Sequence, residues 1–197
     1  MSKGRICILM SAFVYGIVPV FAKFAYQGGT NSYTLTFLRA ALTLPVLYAI
    51  IRLTHRPLAI SRDKIWKIVI LGTIGAAAPI ICLYISYEYI NVGLASTLHF
   101  IYPLITVIAG AFIYREKIRL TTLGAVVLVT LGIMMFADIE SGGDTVGVMF
   151  ALISGIFYSF FVIYIERSGL DEMDYLTLTF YMLIIMSIAF SNETCNE

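Results

Sequence analysis

Long apolar segments separated by short polar connections make up almost the whole of this sequence. Seven of these segments are long enough to cross a membrane as a helix, since about 20 residues at about 1.5 Å each span a hydrocarbon core of roughly 30 Å. The connections are too short to hold a soluble domain. The pattern therefore predicts an all-α fold, a polytopic membrane helix bundle. The predicted spans are 6–26, 33–51, 65–87, 92–114, 120–137, 147–164 and 175–190.

The fourth span, 92–114, has two unlike faces at helical spacing. One face carries bulky apolar side chains suited to lipid, and the other carries small or polar side chains suited to neighbouring helices or a cavity. A helix with these two faces is typical of a channel, a receptor or a transporter. The bulky face consists of Leu98, Ile101, Ile105, Ile108 and Phe112, and the other of Ala95, His99, Tyr102, Pro103, Thr106, Ala109 and Gly110.

Composition supports the membrane assignment. Hydrophobic residues make up 60% of the chain and charged residues 13%, and the mean hydropathy is +0.92, more apolar than a soluble domain of this length needs. A net charge of +1 gives no reason to expect a nucleic-acid partner. Cys7, Cys82 and Cys195 lack metal-ligand spacing, so we expect neither a metal site nor a cofactor.

The basic residues predict an orientation. Lys23 and Arg39 lie within spans. Every other Lys and Arg lies before the first span, in the connections that follow spans two, four and six, or, for Lys67, at the very start of span three on the same side. The connection after span five instead carries Asp138, Glu140 and Asp144. The positive-inside bias then predicts a cytoplasmic N-terminus and, with seven spans, an outside C-terminus, in a cell membrane (plasma or inner).

The sequence also contains an internal repeat at one constant offset. Equivalent positions of the two copies are five spans apart. Because five is an odd number of spans, the second copy crosses the membrane in the opposite direction to the first, as in an inverted repeat. We therefore predict two domains, a five-helix repeat over 1–138 and the first two helices of an incomplete inverted repeat over 147–197. On this interpretation the sequence is a truncated form of a longer chain. The matches are Gly4 with Gly147, Ser11 with Ser154, Tyr15 with Tyr158, and 34–37 with 177–180.

A set of short motifs in the first five spans carries a family resemblance through its order and spacing. These motifs are Phe37-Leu38-Arg39, Leu83-Tyr84, Ala95, Tyr102-Pro103-Leu104, Glu116, and Gly124 through Gly132. With them, residues 1–138 resemble the EamA-like domain of the drug/metabolite transporter superfamily. The resemblance implies ten spans in two inverted five-helix halves and the transport of metabolites or drugs. It is weaker over spans six and seven.

Ionisable residues inside a membrane are costly, so each one is a candidate for function. Lys23, Arg39, Glu88 and His99 come from four different spans and fall in the predicted outer half of the bilayer. One interpretation is a polar vestibule in which Glu88 pairs with Lys23 or Arg39. The alternatives are that Lys23 and Glu88 reach water by snorkelling, that Arg39 has only a structural partner, and that His99 bonds a neighbouring backbone group.

Tyrosines near the middle of spans add stacking area and hydroxyl groups suited to an amphipathic substrate. Prolines within spans remove helical hydrogen bonds and either kink the helix toward a cavity or serve packing alone. The predicted cavity-lining set is Tyr15, Arg39, Tyr84, Glu88, His99, Tyr102, Thr106 and Tyr158, and the predicted kinks are at Pro19, Pro79 and Pro103.

The leading hypothesis is a transporter of small organic solutes that works by alternating access, with a small-molecule substrate and the lipid bilayer as its partners. A non-transporting membrane module that pairs with a second subunit is the alternative, and a homodimer is compatible with both. A seven-helix receptor fits the cytoplasmic N-terminus poorly. An enzyme is not expected, since the sequence lacks a His-Glu-x-x-His motif, a Gly-x-Ser-x-Gly motif and a pair of intramembrane carboxylates.

Overall fold

A computed structural model of the chain describes residues 3–113, 115, 120–136 and 144–194, and this part is helical without any strand. Tyr114, Glu116 and Ala137 lie outside the described residues, as does the side chain of Tyr15. The helices are α1 (Lys3–Gln27), α2 (Ser32–Leu53), α3 (Arg62–Ile70), a π-helical segment (Leu71–Ala77), α4 (Ala78–Tyr89), α5 (Val92–His99), α6 (Tyr102–Ile113), α7 (Leu120–Phe136), α8 (Thr145–Arg167) and α9 (Tyr175–Thr194).

The helical, polytopic character predicted from the sequence is confirmed. Within the described residues, five helical stretches are long and apolar enough to cross a membrane, and they coincide with predicted spans one to four and six. The fifth and seventh predicted spans form shorter apolar helices, so the number seven stays a prediction. The five stretches are Gly4–Gln27, Ser32–Leu53, Arg62–Tyr89, Val92–Ile113 and Thr145–Arg167.

Two of these stretches depart from regular α-helix next to a proline. The third changes to a π-helix over Leu71–Ala77, directly before Pro79 in the first turn of α4. The fourth is interrupted at Phe100 and Ile101, directly before α6 and its Pro103. A proline cannot donate a backbone hydrogen bond and its ring clashes with the carbonyl four residues earlier, which explains both irregularities. Around Pro19, α1 continues without a break.

The centre of the bundle is formed where α8 and α9 pack against α4 and α2. The π-helical segment packs against both α8 and α9. A Cβ on Gly72 would fall 2.8 Å from the Ile185 side chain of α9, and one on Gly75 would fall 3.1 Å from Phe161 of α8. Alanine at either position would require these neighbouring side chains to shift.

Helix α1 packs against the others mainly near its C-terminal end, through Ala22 and Tyr26. Most of its large apolar side chains are exposed, among them Ile8 and Phe13. In a bilayer such a surface faces lipid or another helix. Either contact keeps the apolar side chains out of water, where their exposure would be unfavourable.

The bundle has two opposite ends, each formed by the connections between helices and each named here by one residue. The Tyr26 end is defined by the end of α1, the start of α2 and the connection from α4 to α5. The Arg56 end is defined by the connections 54–61 and 168–174. Each end contains a helix N-cap of the same kind, since Asn31 accepts from the Thr34 N–H at 2.7 Å and Asp174 from the Thr177 N–H at 3.2 Å.

Candidate substrate site

The interruption between α5 and α6 places His99 against α8. His99 is the last residue of α5, and its Nδ1 lies 2.8 Å from the Ser154 hydroxyl oxygen. The Ser154 hydroxyl also lies 2.6 Å from the carbonyl oxygen of Ala151, which can only accept a hydrogen bond. Because serine has one hydrogen, this arrangement assigns the proton to Nδ1 of His99 and leaves Nε2 as an acceptor.

Aromatic rings lie next to this contact. The centroid of the Tyr158 ring lies 5.3 Å from that of His99 and 4.6 Å from that of Tyr102, both edge to face. Phe161 stacks on the other side of Tyr158 at 5.5 Å. These are favourable aromatic geometries, so the rings form one cluster that joins the α5–α6 break to α8. The cluster consists of His99, Tyr102, Tyr158 and Phe161 and is called the His99 cluster below.

The small residues of α8 make this close approach feasible. A Cβ on Gly155 would fall 3.0 Å from the carbonyl oxygen of His99 and 2.9 Å from the Ile101 side chain. The Ser159 hydroxyl reaches the carbonyl oxygen of Tyr102 at 3.0 Å. Ser159 was not among the predicted cavity residues, and Ser154 was noted only as the repeat match of Ser11. Their spacing with Gly155 on one face of an apolar helix was the available signal.

A second polar group lies at the Tyr26 end. The Tyr26 hydroxyl is 2.9 Å from the Ser32 hydroxyl and 3.0 Å from the carbonyl oxygen of Tyr84. Ser32 also donates to the Glu88 carboxylate, through its hydroxyl and through its backbone N–H at 3.2 Å. A carboxylate at the first residue of α2 is electrostatically favourable, because it faces the positive end of the helix dipole. Glu88 therefore joins the end of α4 to the start of α2.

The pairing of Glu88 with Lys23 or Arg39, predicted from the sequence, is wrong. Among the residues that the structure describes, Glu88 makes no ion pair, because Ser32 lies closer to its carboxylate than either cation. Arg39 instead donates from Nη1 to the hydroxyl of Tyr84 at 3.0 Å. Within the described ranges, no carboxylate pairs with Arg39.

The remaining predicted cavity residues divide between these groups. Tyr84 is buried and joins the Tyr26 end, with its ring 5.7 Å from that of Tyr87. Thr106 lies on α6 one turn after the His99 cluster, and its hydroxyl bonds back to the Tyr102 carbonyl at 2.8 Å. The role of Tyr26 in the polar group was not predicted from the sequence.

A cavity of about 290 Å³ opens at the Tyr26 end, between α1 and the connection from α4 to α5. Lys23, Gln27 and Asn91 supply polar groups to its wall, and Tyr26 and Tyr87 supply aromatic rings. The Tyr87 hydroxyl is 3.0 Å from that of Ser96. Tyr26 belongs both to the wall of this cavity and to the polar group with Ser32.

Comparison with known proteins gives the family. The EamA-like transporter family matches residues 2–137. An uncharacterized transporter of Synechocystis, sll1319, is 26% identical over 66% of this chain and 41% of its own length. The uncharacterized transporter YxxF of Bacillus subtilis is 23% identical over 50% of this chain and 32% of its own. An uncharacterized transporter of Clostridium kluyveri is 21% identical over 83% of this chain and 56% of its own.

The chain thus spans about a third to just over half of the length of these relatives. No solved structure matches it. The family match covers well over half of the chain, includes the α5–α6 break and agrees with the resemblance found in the motifs of the first five spans. The chain belongs to the EamA-like transporter family.

Proposed function

We propose that this protein is a membrane carrier of small organic solutes and that it works by alternating access. Family membership indicates a transporter rather than an enzyme. The observation that carries the proposal is the His99 cluster, which joins the broken fourth span to α8 by the hydrogen bond between His99 and Ser154. Broken helices that bring polar groups to a contact between the two halves are where inverted-repeat carriers bind their solutes.

The chemistry of the His99 cluster supports an amphipathic solute. Tyr102 and Tyr158 offer ring surface for an apolar body, and Nε2 of His99 offers an acceptor for one hydrogen-bond donor. An anionic group on the same solute would be attracted by Arg39, which donates to Tyr84 and has no counter-charge among the described residues. The inferred class is therefore a metabolite or drug with an aromatic or aliphatic body and few polar groups.

The two matching N-caps support the inverted repeat. The offset that aligns the two copies brings Asn31 onto Asp174 and Thr34 onto Thr177, and both pairs form the same capping bond. The positive-inside bias places the Arg56 end in the cytoplasm and the Tyr26 end outside. Labelling of single cysteines tests this orientation: an impermeant thiol reagent should reach a probe at Gly143 from outside and miss one at Arg62.

Uptake by proteoliposomes tests the proposal. We expect saturable uptake of at least one member of a panel of neutral, anionic and cationic aromatic or aliphatic solutes. The variant Tyr158→Leu should raise KM for that solute, because it removes the ring that His99 and Tyr102 contact. The variant Tyr89→Leu is the matched control, since this side chain is exposed at the Tyr26 end of α4. Equal KM values for the two variants would contradict the assignment of the site.

A non-transporting module that pairs with a second subunit is the second candidate. The exposed apolar surface of α1 favours it, because this surface is large enough to receive another helix. A stable complex with a longer relative, together with no uptake by the chain alone, would support the module over the carrier.

A further inference from the structure

At the Arg56 end, the connection 54–61 is joined to the N-cap and first turns of α9 by an ion pair and by side-chain hydrogen bonds. Arg56 Nη1 donates to Asp174 Oδ2 at 2.7 Å, and this is the ion pair found within the described part of the chain. The buried Thr177 hydroxyl donates to the carbonyl oxygen of Pro57 at 2.7 Å. The Tyr181 hydroxyl donates to the carbonyl oxygen of Leu58 at 2.8 Å.

These contacts form one face rather than a scattered set. Asp174, Thr177 and Tyr181 are three and four residues apart, so they lie on the same side of α9 and its N-cap. All three meet consecutive residues of the connection between α2 and α3. A further bond, from Lys67 Nζ to the carbonyl oxygen of Ser168 at 2.8 Å, continues the same seam. The seam therefore joins the first proposed repeat to the second at the Arg56 end, beside a cavity of about 270 Å³ whose wall includes Pro57, Asp174 and Thr177.

The equivalent positions at the opposite end cannot form the same seam. The repeat offset brings Asp174 onto Asn31, Thr177 onto Thr34 and Tyr181 onto Leu38. Asn31 keeps the cap but has no charge, and Leu38 has no hydroxyl. The two ends of the bundle thus carry unequal sets: a carboxylate and a phenol at the Arg56 end, and an amide and an apolar side chain at the Tyr26 end.

We propose that the Arg56–Asp174 pair is a gate at the Arg56 end, which stabilises the contact between the two repeats there and must break for this end to open. The inference rests on the proposed alternating access, in which one end must open as the other closes. The ion pair biases that equilibrium, because opening the Arg56 end separates the two charges.

Accessibility of one buried residue from each side tests the gate. Ser159 is buried on α8 between the two ends, and Ser159→Cys, with the native cysteines replaced by serine, serves as the reporter. The variant Asp174→Asn removes the charge and retains a good N-cap. We expect it to speed modification of the reporter from the Arg56 side about two- to fivefold, the range for a partly exposed ion pair, and to slow modification from the Tyr26 side.

Two further variants distinguish a gate from general loosening. Arg56→Gln should reproduce the effect of Asp174→Asn, and the double variant should add nothing, since the two residues act as one pair. Asp63→Asn is the matched control, because this acid lies at the same end and accepts from Ser61 of its own segment. Faster modification from both sides, or an equal effect of Asp63→Asn, would overturn the gate.

The reporter needs no solute, so its result is separate from that of the uptake assay. A reciprocal shift in accessibility supports the gate even if the solute panel shows no uptake, in which case the proposed solute class is wrong. Uptake that is saturable while Asp174→Asn shifts neither side refutes the gate and leaves the carrier standing.

Discussion

The close approach of α8 to the α5–α6 break gives a prediction that the structure makes quantitative. In the variant Gly155→Ala, the new Cβ would lie 3.0 Å from the carbonyl oxygen of His99 and 2.9 Å from the Ile101 side chain. The Ile101 side chain can rotate, but the His99 carbonyl is backbone, so α8 must move away. Such overpacking costs about 1–3 kcal/mol, whereas alanine in place of glycine gains about 1 kcal/mol in a helix.

The variant Gly124→Ala isolates the second term. Gly124 lies within α7, and no neighbouring atom lies within 4 Å of a Cβ built there. The difference between the two variants is therefore the overpacking alone, about 1–3 kcal/mol. At about 2–4 °C for each kcal/mol in a chain of this size, Gly155→Ala should melt about 2–12 °C below Gly124→Ala.

Loss of helical circular dichroism on heating in detergent measures the difference. If Gly155→Ala melts at or above the temperature of Gly124→Ala, α8 does not approach the α5–α6 break as closely as described, and the contact between His99 and Ser154 would not form either. If Gly155→Ala melts between the parent and Gly124→Ala, the free-energy cost of overpacking is smaller than the gain from helix propensity.

Two further predictions concern charged groups. Arg39→Met should lower uptake of anionic members of the solute panel about tenfold or more relative to neutral ones, because a hydrogen bond to a charged group contributes about 1.5–3 kcal/mol. Uptake by Arg39→Lys should lie between that of this variant and that of the parent. Equal losses of uptake for anionic and neutral solutes would assign Arg39 a structural role. Partial removal from water raises the pKa of the Asp174 carboxyl, but the Thr177 N–H and the charge of Arg56 outweigh it, and the pKa lies below its usual 3.8. A depressed pKa gives a contribution that is complete at higher pH and lost as the pH falls through it. Relative to a free thiol at the same pH, which corrects for the thiolate fraction, modification of the Ser159→Cys reporter from the Arg56 side should therefore stay constant from pH 8 to 5 and rise only below about pH 4. Asp174→Asn should show no such rise.

Features that depend on one helix at a time could be predicted from the sequence. The apolar segments marked the helices, and the motifs across the first five spans marked the family. Pro79 and Pro103 marked the neighbourhoods of the π-helical segment and the α5–α6 break, because a proline removes a backbone donor wherever it stands. The break itself, two residues before Pro103, was not predicted, and span four was taken as one helix.

Features that depend on which helices meet could not be predicted in the same way. The Glu88 carboxylate was assigned to a cation because charge suggests a charged partner, whereas the fold brings the backbone N–H and hydroxyl of Ser32 next to it. Arg56 and Asp174 are far apart in sequence, and each lies in a connection whose polar residues would be equally suited to solvent. Pairing of this kind follows from packing over the whole bundle, not from local periodicity.

Counterflow in proteoliposomes tests the central claim, a carrier that alternates access around the His99 cluster, most directly. Vesicles loaded with unlabelled solute should take up labelled solute transiently above its equilibrium level, because a carrier exchanges one bound solute for another across the membrane. Tyr158→Leu should lower this overshoot at subsaturating solute, and Tyr89→Leu should leave it unchanged. Flux of the labelled solute that neither saturates nor responds to solute inside the vesicles would contradict the account, since it would indicate an open pore.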